Sequence, residues 1–313
     1  MKEKIKKLIG INGYYYYLKL KELYLRKKFY SIEKKEKYIQ KKFKENLGYE
    51  IDFFKEPKTF NQKIQFRKLY DNNPLYSICS DKYRVREYVK KKIGEEYLIP
   101  LYLVTDKLTE EQWKKLPNQF VAKANHNSGP VQIVKNKNKV NKKEIIKELN
   151  NQLKLDYGIL SMEKFYSDIK ERKIIVEKFL TIIDEIPADY KFHCFNYKDE
   201  FKCFIEHIVG RKENNLSTYK SVYYDENWNK MPFTIESKNY DYIVEKPKNF
   251  KKMLEIVKKL SEDFNYVRVD LYNINEKIYF GELTFCDGSG LAKFKPEAWD
   301  YKFGSYWNQK KFK

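Results

Sequence analysis

The chain has 313 residues, 42% of them apolar, which excludes general disorder and leaves room for one large domain or two lobes. Lysine and arginine total 64 against 44 acidic residues, and the formal charge of +20 suits an anionic partner. No run approaches the roughly 20 apolar residues of a membrane span, and four scattered cysteines with three histidines form no zinc pattern.

Residues 1–50 are rich in lysine and tyrosine, and Leu18, Leu20, Leu23 and Leu25 predict one or two basic amphipathic helices. Their charges run on without a small-residue cleavage site, so the expected location is the cytosol. Such a segment either packs on the domain that follows or lies peripherally on the anionic inner face of a membrane. Phe60–Tyr70 reads as a helix stopped by the turn cluster Asp71–Pro74. Ser80 or Asp81 caps the next, whose Val85, Val89 and Ile93 recur every four residues up to Gly94. Strands follow at Leu101–Val104, Phe120–Ala124 and Val131–Val134, then a helix over Lys142–Leu155 and a strand over Lys173–Leu180. A hairpin is expected from Tyr190–Phe195 and Phe201–Val209, turning at Asn196–Glu200. Residues 210–246 read as irregular, and Pro247 opens a helix through Met253, Ile256, Val257 and Leu260. The order is α+β with mostly antiparallel sheets.

The most informative stretch is YVRVDLYNINEKIYFGELTFCDGSG, residues 266–290. Two alternating strands flank a turn expected at Asn275–Lys277. A three-residue loop sets Asp270 opposite Glu282 and Arg268 opposite Thr284. It also puts Val267, Val269 and Leu271 on one face with Phe285, Leu283 and Gly281. Two carboxylates side by side repel. Either they lie on a solvated outer face, or they hold a divalent cation; Mg²⁺ is the best match to a carboxylate pair completed by water and phosphate oxygens.

In FVAKANHNSGPVQIV, Lys123 leaves a strand before a polar loop. Backbone N–H groups of Asn127, Ser128 and Gly129 could close over phosphates there, with Lys123 as a point charge. An ordinary hairpin turn explains the same letters. In IIVEKFL, Glu177 and Lys178 interrupt an apolar strand and need partners, either each other's kind on an edge strand or a bound nucleoside.

In order along the chain, Lys82 of SDKYRVREYV, Lys123, Glu177-Lys178-Phe179-Leu180, Asp270 and Glu282 resemble the functional groups of the ATP-grasp superfamily. The runs FNQKIQFRKLYDNNPLY, SDKYRVREYV, LIPLYLV, LPNQFVAKANHNSG, DYKFHCFN and VRVDLYNINEKIYFGELTFCDGSG are similar to the TupA-like ATP-grasp family of bacterial surface-polysaccharide biosynthesis. That resemblance implies an α+β ATP-grasp fold with the nucleotide held between two lobes. Its expected division is a basic helical segment 1–59, the first part of the core 60–118, a central lid domain 119–180, and a C-terminal lobe 181–313 with the metal site. ATP and Mg²⁺ are the implied ligands. Lys82, Lys123, Asn127, Ser128 and Gly129 would meet the phosphates, and Glu177, Lys178, Phe179 and Leu180 the adenine and ribose. Asp270, Glu282 and Thr284 would hold the metal. Arg268 and Lys191 would stabilise the transferring phosphoryl group or hold the substrate.

Two departures stand out. Asn127 replaces a glycine usual in the family, and Glu282 is followed by Leu283-Thr284 rather than X-Asn. The reaction expected is carboxylate–amine ligation through an acyl phosphate. A uronic-acid sugar or other anionic glycan would supply the carboxylate, and an amine or amino acid would be the co-substrate. A glycosyltransferase, an ATP-grasp kinase and a non-catalytic polyanion- or membrane-binding protein are the rivals. The chain lacks an Asp-X-Asp pair for the first, and no nucleic-acid motif is present.

Overall fold

A computed structural model of the chain describes residues 2–181, 186–198, 200–211, 219–235 and 242–309. In chain order it contains helices α1 (Lys2–Lys28), α2 (Ile32–Leu47), α3 (Phe60–Tyr70), α4 (Leu75–Ser80) and α5 (Val85–Ile93). Strand β1 (Leu101–Thr105), helix α6 (Glu110–Lys115), strands β2 (Phe120–Ala124) and β3 (Gln132–Val134), and helices α7 (Lys142–Gln152), α8 (Tyr157–Ser161) and α9 (Lys164–Ser167) follow. The remainder is β4 (Ile174–Glu177), β5 (Asp189–Tyr197), β6 (Glu200–Val209), β7 (Lys220–Asp225), β8 (Thr234–Ile235), α10 (Phe250–Ser261), β9 (Tyr266–Ile274), β10 (Lys277–Thr284), β11 (Phe294–Lys295) and α11 (Ala298–Tyr306). Every strand pairing among the described residues is antiparallel, so the fold class is α+β as expected. Among the described residues, no helix is long and apolar enough to cross a membrane.

The chain forms two compact units: residues 1–34, 73–85 and 99–179, and residues 35–72, 86–98 and 180–313. In the first, a sheet ordered β1-β4-β2-β3 turns Phe120, Ala122, Ile174 and Val176 onto a core with Trp113, Leu116 and Leu149. The alternation of β2 and β4 therefore leaves Lys123 and Glu177 on the other face. Helix α1 packs on α7 and α8 in the same unit.

In the second unit the sheet runs β10-β9-β5-β6-β7. Helix α3 begins with a capping box between Thr59 and Gln62. Its first residue, Phe60, sits edge-on to Tyr266 at 4.8 Å and to Phe303 at 5.7 Å. Farther along the helix, the buried Arg67 stacks 4.2 Å from Trp307 and donates to the carbonyls of Tyr266 (2.9 Å) and Phe285 (3.0 Å). That one side chain ties the start of β9 to the end of β10, the two strands with the paired carboxylates.

Strand β7 and the short β8 fall inside the segment expected to be irregular, and parts of that segment lie outside the described residues. Ser221, Val222, Tyr223 and Tyr224 are all buried, which removes the alternation a sequence reading relies on. The four cysteines are buried free thiols, as expected.

The β9–β10 pairing puts Asp270 opposite Glu282, Leu283 opposite Val269 and Thr284 opposite Arg268, the expected register. The route to it differs. The turn has two residues, Asn275 and Glu276, both at positive φ (49° and 64°), the geometry of the tight hairpin turn that matches strand twist. A bulge between Phe280 and Glu282 then adds the missing residue. Phe280, not Gly281, thus faces Leu271 on the buried side. Gly281 sits where a Cβ would come within 3.0 Å of the Asp270 carbonyl oxygen, so glycine suits the bulge.

All three histidines are buried, and burial holds His126, His193 and His207 each down at about 4. His126 Nε2 donates to the Leu155 carbonyl at 3.1 Å, while its Nδ1 has no partner to receive a second proton's bond. Their folded pKa lies below the unfolded value, so their stabilisation is complete above about pH 6.5 and lost as pH falls toward about 4. The buried Asp81, Glu206 and Asp300, pushed upward by desolvation, act in the opposite sense. Between about pH 7 and about pH 5, His207→Gln should therefore lose about 2 kcal/mol less stability than the parent chain. Equal losses in the two urea-unfolding series would show that the histidine is not buried neutral.

Candidate functional site

In the first unit the hub is Asn125, buried at the end of β2. Its amide donates to Asp81 Oδ1 and to the Glu171 carbonyl, each at 2.9 Å, and its side-chain oxygen accepts the Lys173 N–H at 2.8 Å. Its backbone carbonyl accepts the Lys82 N–H at 3.0 Å. Asp81 in turn accepts from the N–H groups of Tyr83 and Arg84, which winds the turn before α5. Asn125 thereby brings Lys82 to the loop after β2, where the Lys82 ammonium donates to the Asn127 carbonyl. No sequence signal singled out Asn125; an asparagine at a strand exit is common in ordinary turns.

Asn127, which stands where the family usually has a glycine, does not use positive φ. Its side chain shapes the loop instead. Oδ1 accepts the Gly129 N–H at 3.1 Å and Nδ2 donates to Gln152 on α7 at 3.0 Å. Ser128 is exposed at the loop tip. On the adjoining sheet face, Lys123 pairs with Glu177 at 2.5 Å. The Lys178 N–H donates to the Pro100 carbonyl at 2.9 Å, Phe179 is buried, and Leu180 begins the second unit's last segment.

In the second unit, Lys191, Arg268, Asp270, Glu282 and Thr284 come together on one face of the large sheet. Arg268 is the shared donor: Nε reaches Asp270 Oδ1 at 2.7 Å, and Nη2 reaches Asp270 Oδ2 at 2.8 Å and Glu282 Oε1 at 2.9 Å. Its Nη1 donates to Asp287, which the sequence reading did not single out; the residue lies beyond the hairpin in a Gly-rich turn. Lys191, paired with Asp270 in register across β5 and β9, gives Asp270 a second cation. Thr284 Oγ1 donates to Glu282 at 3.2 Å. Burial alone would raise Asp270 and Asp287, but Arg268 and Lys191 hold both below the usual carboxylate range.

The polar row continues across all five strands: Glu282, Asp270, Lys191, Glu206 and Tyr223 are successive cross-strand partners. Desolvation pushes the Glu206 carboxyl up, and the Tyr223 hydroxyl bonds to it. Only about two fifths of the Glu282 side chain is exposed; the rest of the network is nearly covered.

The donor set suits Mg²⁺. Asp270, Glu282 and the Thr284 hydroxyl are hard oxygens. Three carboxylates face the two cations Arg268 and Lys191, which leaves one negative charge in excess. Among the described residues no three His, Cys, Asp or Glu side chains already stand as a ready metal cage. Mg²⁺ rarely needs one, since it keeps water and phosphate oxygens in its shell. A cavity of about 740 Å³ lined by Lys230, Met231, Pro232, Phe233, Thr234, Lys295 and Pro296 contains none of these residues.

Removing Arg268 would leave three carboxylates facing Lys191 alone. Arg268→Met is expected to cost about 3 kcal/mol or more of unfolding free energy, read from the urea midpoint. A variant as stable as the parent would contradict the network.

The chain spans about half the length of two of the solved structures to which it is similar. One is the D-alanine–D-alanine ligase of Helicobacter pylori, at 18% identity over 68% of this chain and 56% of that one, with a TM-score of 0.36. The other is the N5-carboxyaminoimidazole ribonucleotide synthetase of Thermus thermophilus, at 11% identity over 69% and 48%, with a TM-score of 0.39. A RiPP-associated ATP-grasp ligase of Chryseobacterium gregarium, solved with ADP and a leader and core peptide, matches at 12% identity over 81% and 69%, with a TM-score of 0.38. No curated protein matches the chain. The TupA-like ATPgrasp family matches residues 62–308, nearly four fifths of the sequence and all the candidate residues, and the chain belongs to that family.

Proposed function

We propose that the protein is an ATP-dependent carboxylate–amine ligase. It would act through an acyl phosphate on a uronic-acid-type sugar of a capsular or other cell-surface polysaccharide. The observation that carries this reading is the cluster of Asp270, Glu282 and Asp287 with Arg268 and Lys191 against it, an arrangement with one negative charge in excess and hard oxygen donors. Family membership supports the nucleotide. The charge of +20 supports an anionic glycan as the acid.

In this reading Lys82 and Lys123 neutralise the β- and γ-phosphates, with the Asn127–Gly129 loop beside them. Glu177, Lys178, Phe179 and Leu180 frame the adenine and ribose. Asp270 and Glu282, with Thr284 alongside, would hold Mg²⁺, which would supply charge neutralisation to the phosphates. Arg268 and Lys191 offer donors to the transferring phosphoryl group or to the sugar carboxylate. One carboxylate oxygen attacks the γ-phosphorus, the bond to the β–γ bridging oxygen breaks, and ADP leaves. The amine nitrogen then attacks the acyl carbon. Phosphate departs with the C–O electron pair, the nitrogen gives up a proton, and the amide remains. No protein nucleophile is needed, consistent with a His126 occupied by the Leu155 carbonyl.

Calorimetric titration with Mg²⁺ and a non-hydrolysable ATP analogue tests the site. The parent chain should bind, and Lys123→Ala and Glu282→Gln should each lose at least about tenfold in affinity. ADP release would then be screened over uronic acids and amines. Binding of UDP-sugars with no response to the ATP analogue would sink the ligase and favour a glycosyltransferase.

A further inference from the structure

Helix α1 carries apolar residues on two opposite sides. One side is used: Ile11, Tyr14 and Tyr15 pack against Leu155, with Leu18 alongside. Glu22, its only acid from Ile11 onward, is buried there and accepts the Asp156 N–H at 2.9 Å. The other side is open. Tyr16 (68% exposed), Tyr17 (46%), Leu20 (49%), Leu23 (52%) and Tyr24 (59%) recur at one-, three- and four-residue steps and form a continuous outward stripe. Lys27 extends it by one position, and Lys21 and Lys28 border it, with the Lys28 ammonium 5.3 Å from the Tyr24 ring centre. From Ile11 onward, α1 places no carboxylate on this side.

We propose that the outward stripe of α1 docks the protein on an anionic phospholipid surface. Tyrosine and leucine at the centre with lysine at the margin is the chemistry of a helix lying in a headgroup layer. Rings and aliphatic chains enter the acyl boundary, and ammonium groups meet phosphate. Charge selects this occupant over a second copy of the chain. A self-complementary contact would bring two lysine-bordered stripes together, each on a molecule already at +20. The packed side of α1 leaves the helix anchored while the stripe faces away, so docking requires no unfolding of the unit.

The test is co-sedimentation of the full chain with vesicles of phosphatidylcholine alone or mixed with phosphatidylglycerol. Binding should be at least about tenfold tighter to the anionic vesicles. Leu20→Ser with Tyr24→Ser keeps the charge and should lose at least about tenfold of that binding, with helix content and thermal midpoint unchanged. Lys21→Gln with Lys27→Gln should weaken it and flatten its salt dependence. Absence of binding by the parent chain overturns the proposal. So does undiminished binding of the serine variant, which would mean adsorption by overall charge. Self-association abolished by the same serine pair, without vesicle binding, overturns it in favour of a second copy.

Discussion

The second unit is organised around one pairing register. Asp270 and Glu282 are neighbours because β9 and β10 meet through a two-residue turn and a bulge at Gly281. A slip of β10 by one residue against β9 would send Glu282 to the buried face and Leu283 to the polar one, while β5 holds β9 in place. Two like charges side by side do not hold a register by themselves. The buried apolar partners on the reverse face select it. Arg268 then makes the polar face tolerable by donating to Asp270, Glu282 and Asp287 at once.

What surrounds this pairing serves to keep it in place. Arg67 on α3 closes the open end of the hairpin through the carbonyls of Tyr266 and Phe285. Its guanidinium meets two backbone carbonyls, the Trp307 ring and, 3.7 Å away, the Asp71 carboxylate, so a cation in the core acts as a structural clamp. On the polar side, Lys191 is held by the β5–β9 pairing at the one level where it meets Asp270. A face so densely charged persists only where almost every member has a partner, and a ligand entering it exchanges partners rather than adding them.

The first unit solves its positioning problem with a neutral side chain. Asn125 uses both ends of its amide and its backbone to gather the Lys82 turn, the exit of β2 and the entry to β4. The loop after β2 is set by Asn127 and Gln152 rather than by a left-handed backbone. A phosphate meeting this loop would find a lysine whose carrier turn is already fixed, which lowers the ordering cost of binding.

Local pattern made much of this legible. Alternation predicted the β9–β10 faces and the opposition of Asp270 and Glu282, and periodicity predicted α3, α5 and α10. These signals survive in the sequence because such elements gather apolar residues on one side and polar residues on the other, whether or not the polar side is open to solvent. Strand β7 was lost because it is covered on both sides, and the two-residue turn because the bulge downstream hid the count. Asp287 and Asn125 could not be picked out, since an Asp in a Gly-rich turn and an Asn after a strand are ordinary locally. The sequence by itself determined which residues alternate on β9 and β10, the place of α3, α5 and α10, and the family to which those groups belong. Tertiary structure alone decided which cation serves which carboxylate, because pairings such as Arg268 with Asp287 or Arg67 with Phe285 depend on where distant segments land, not on spacing along the chain.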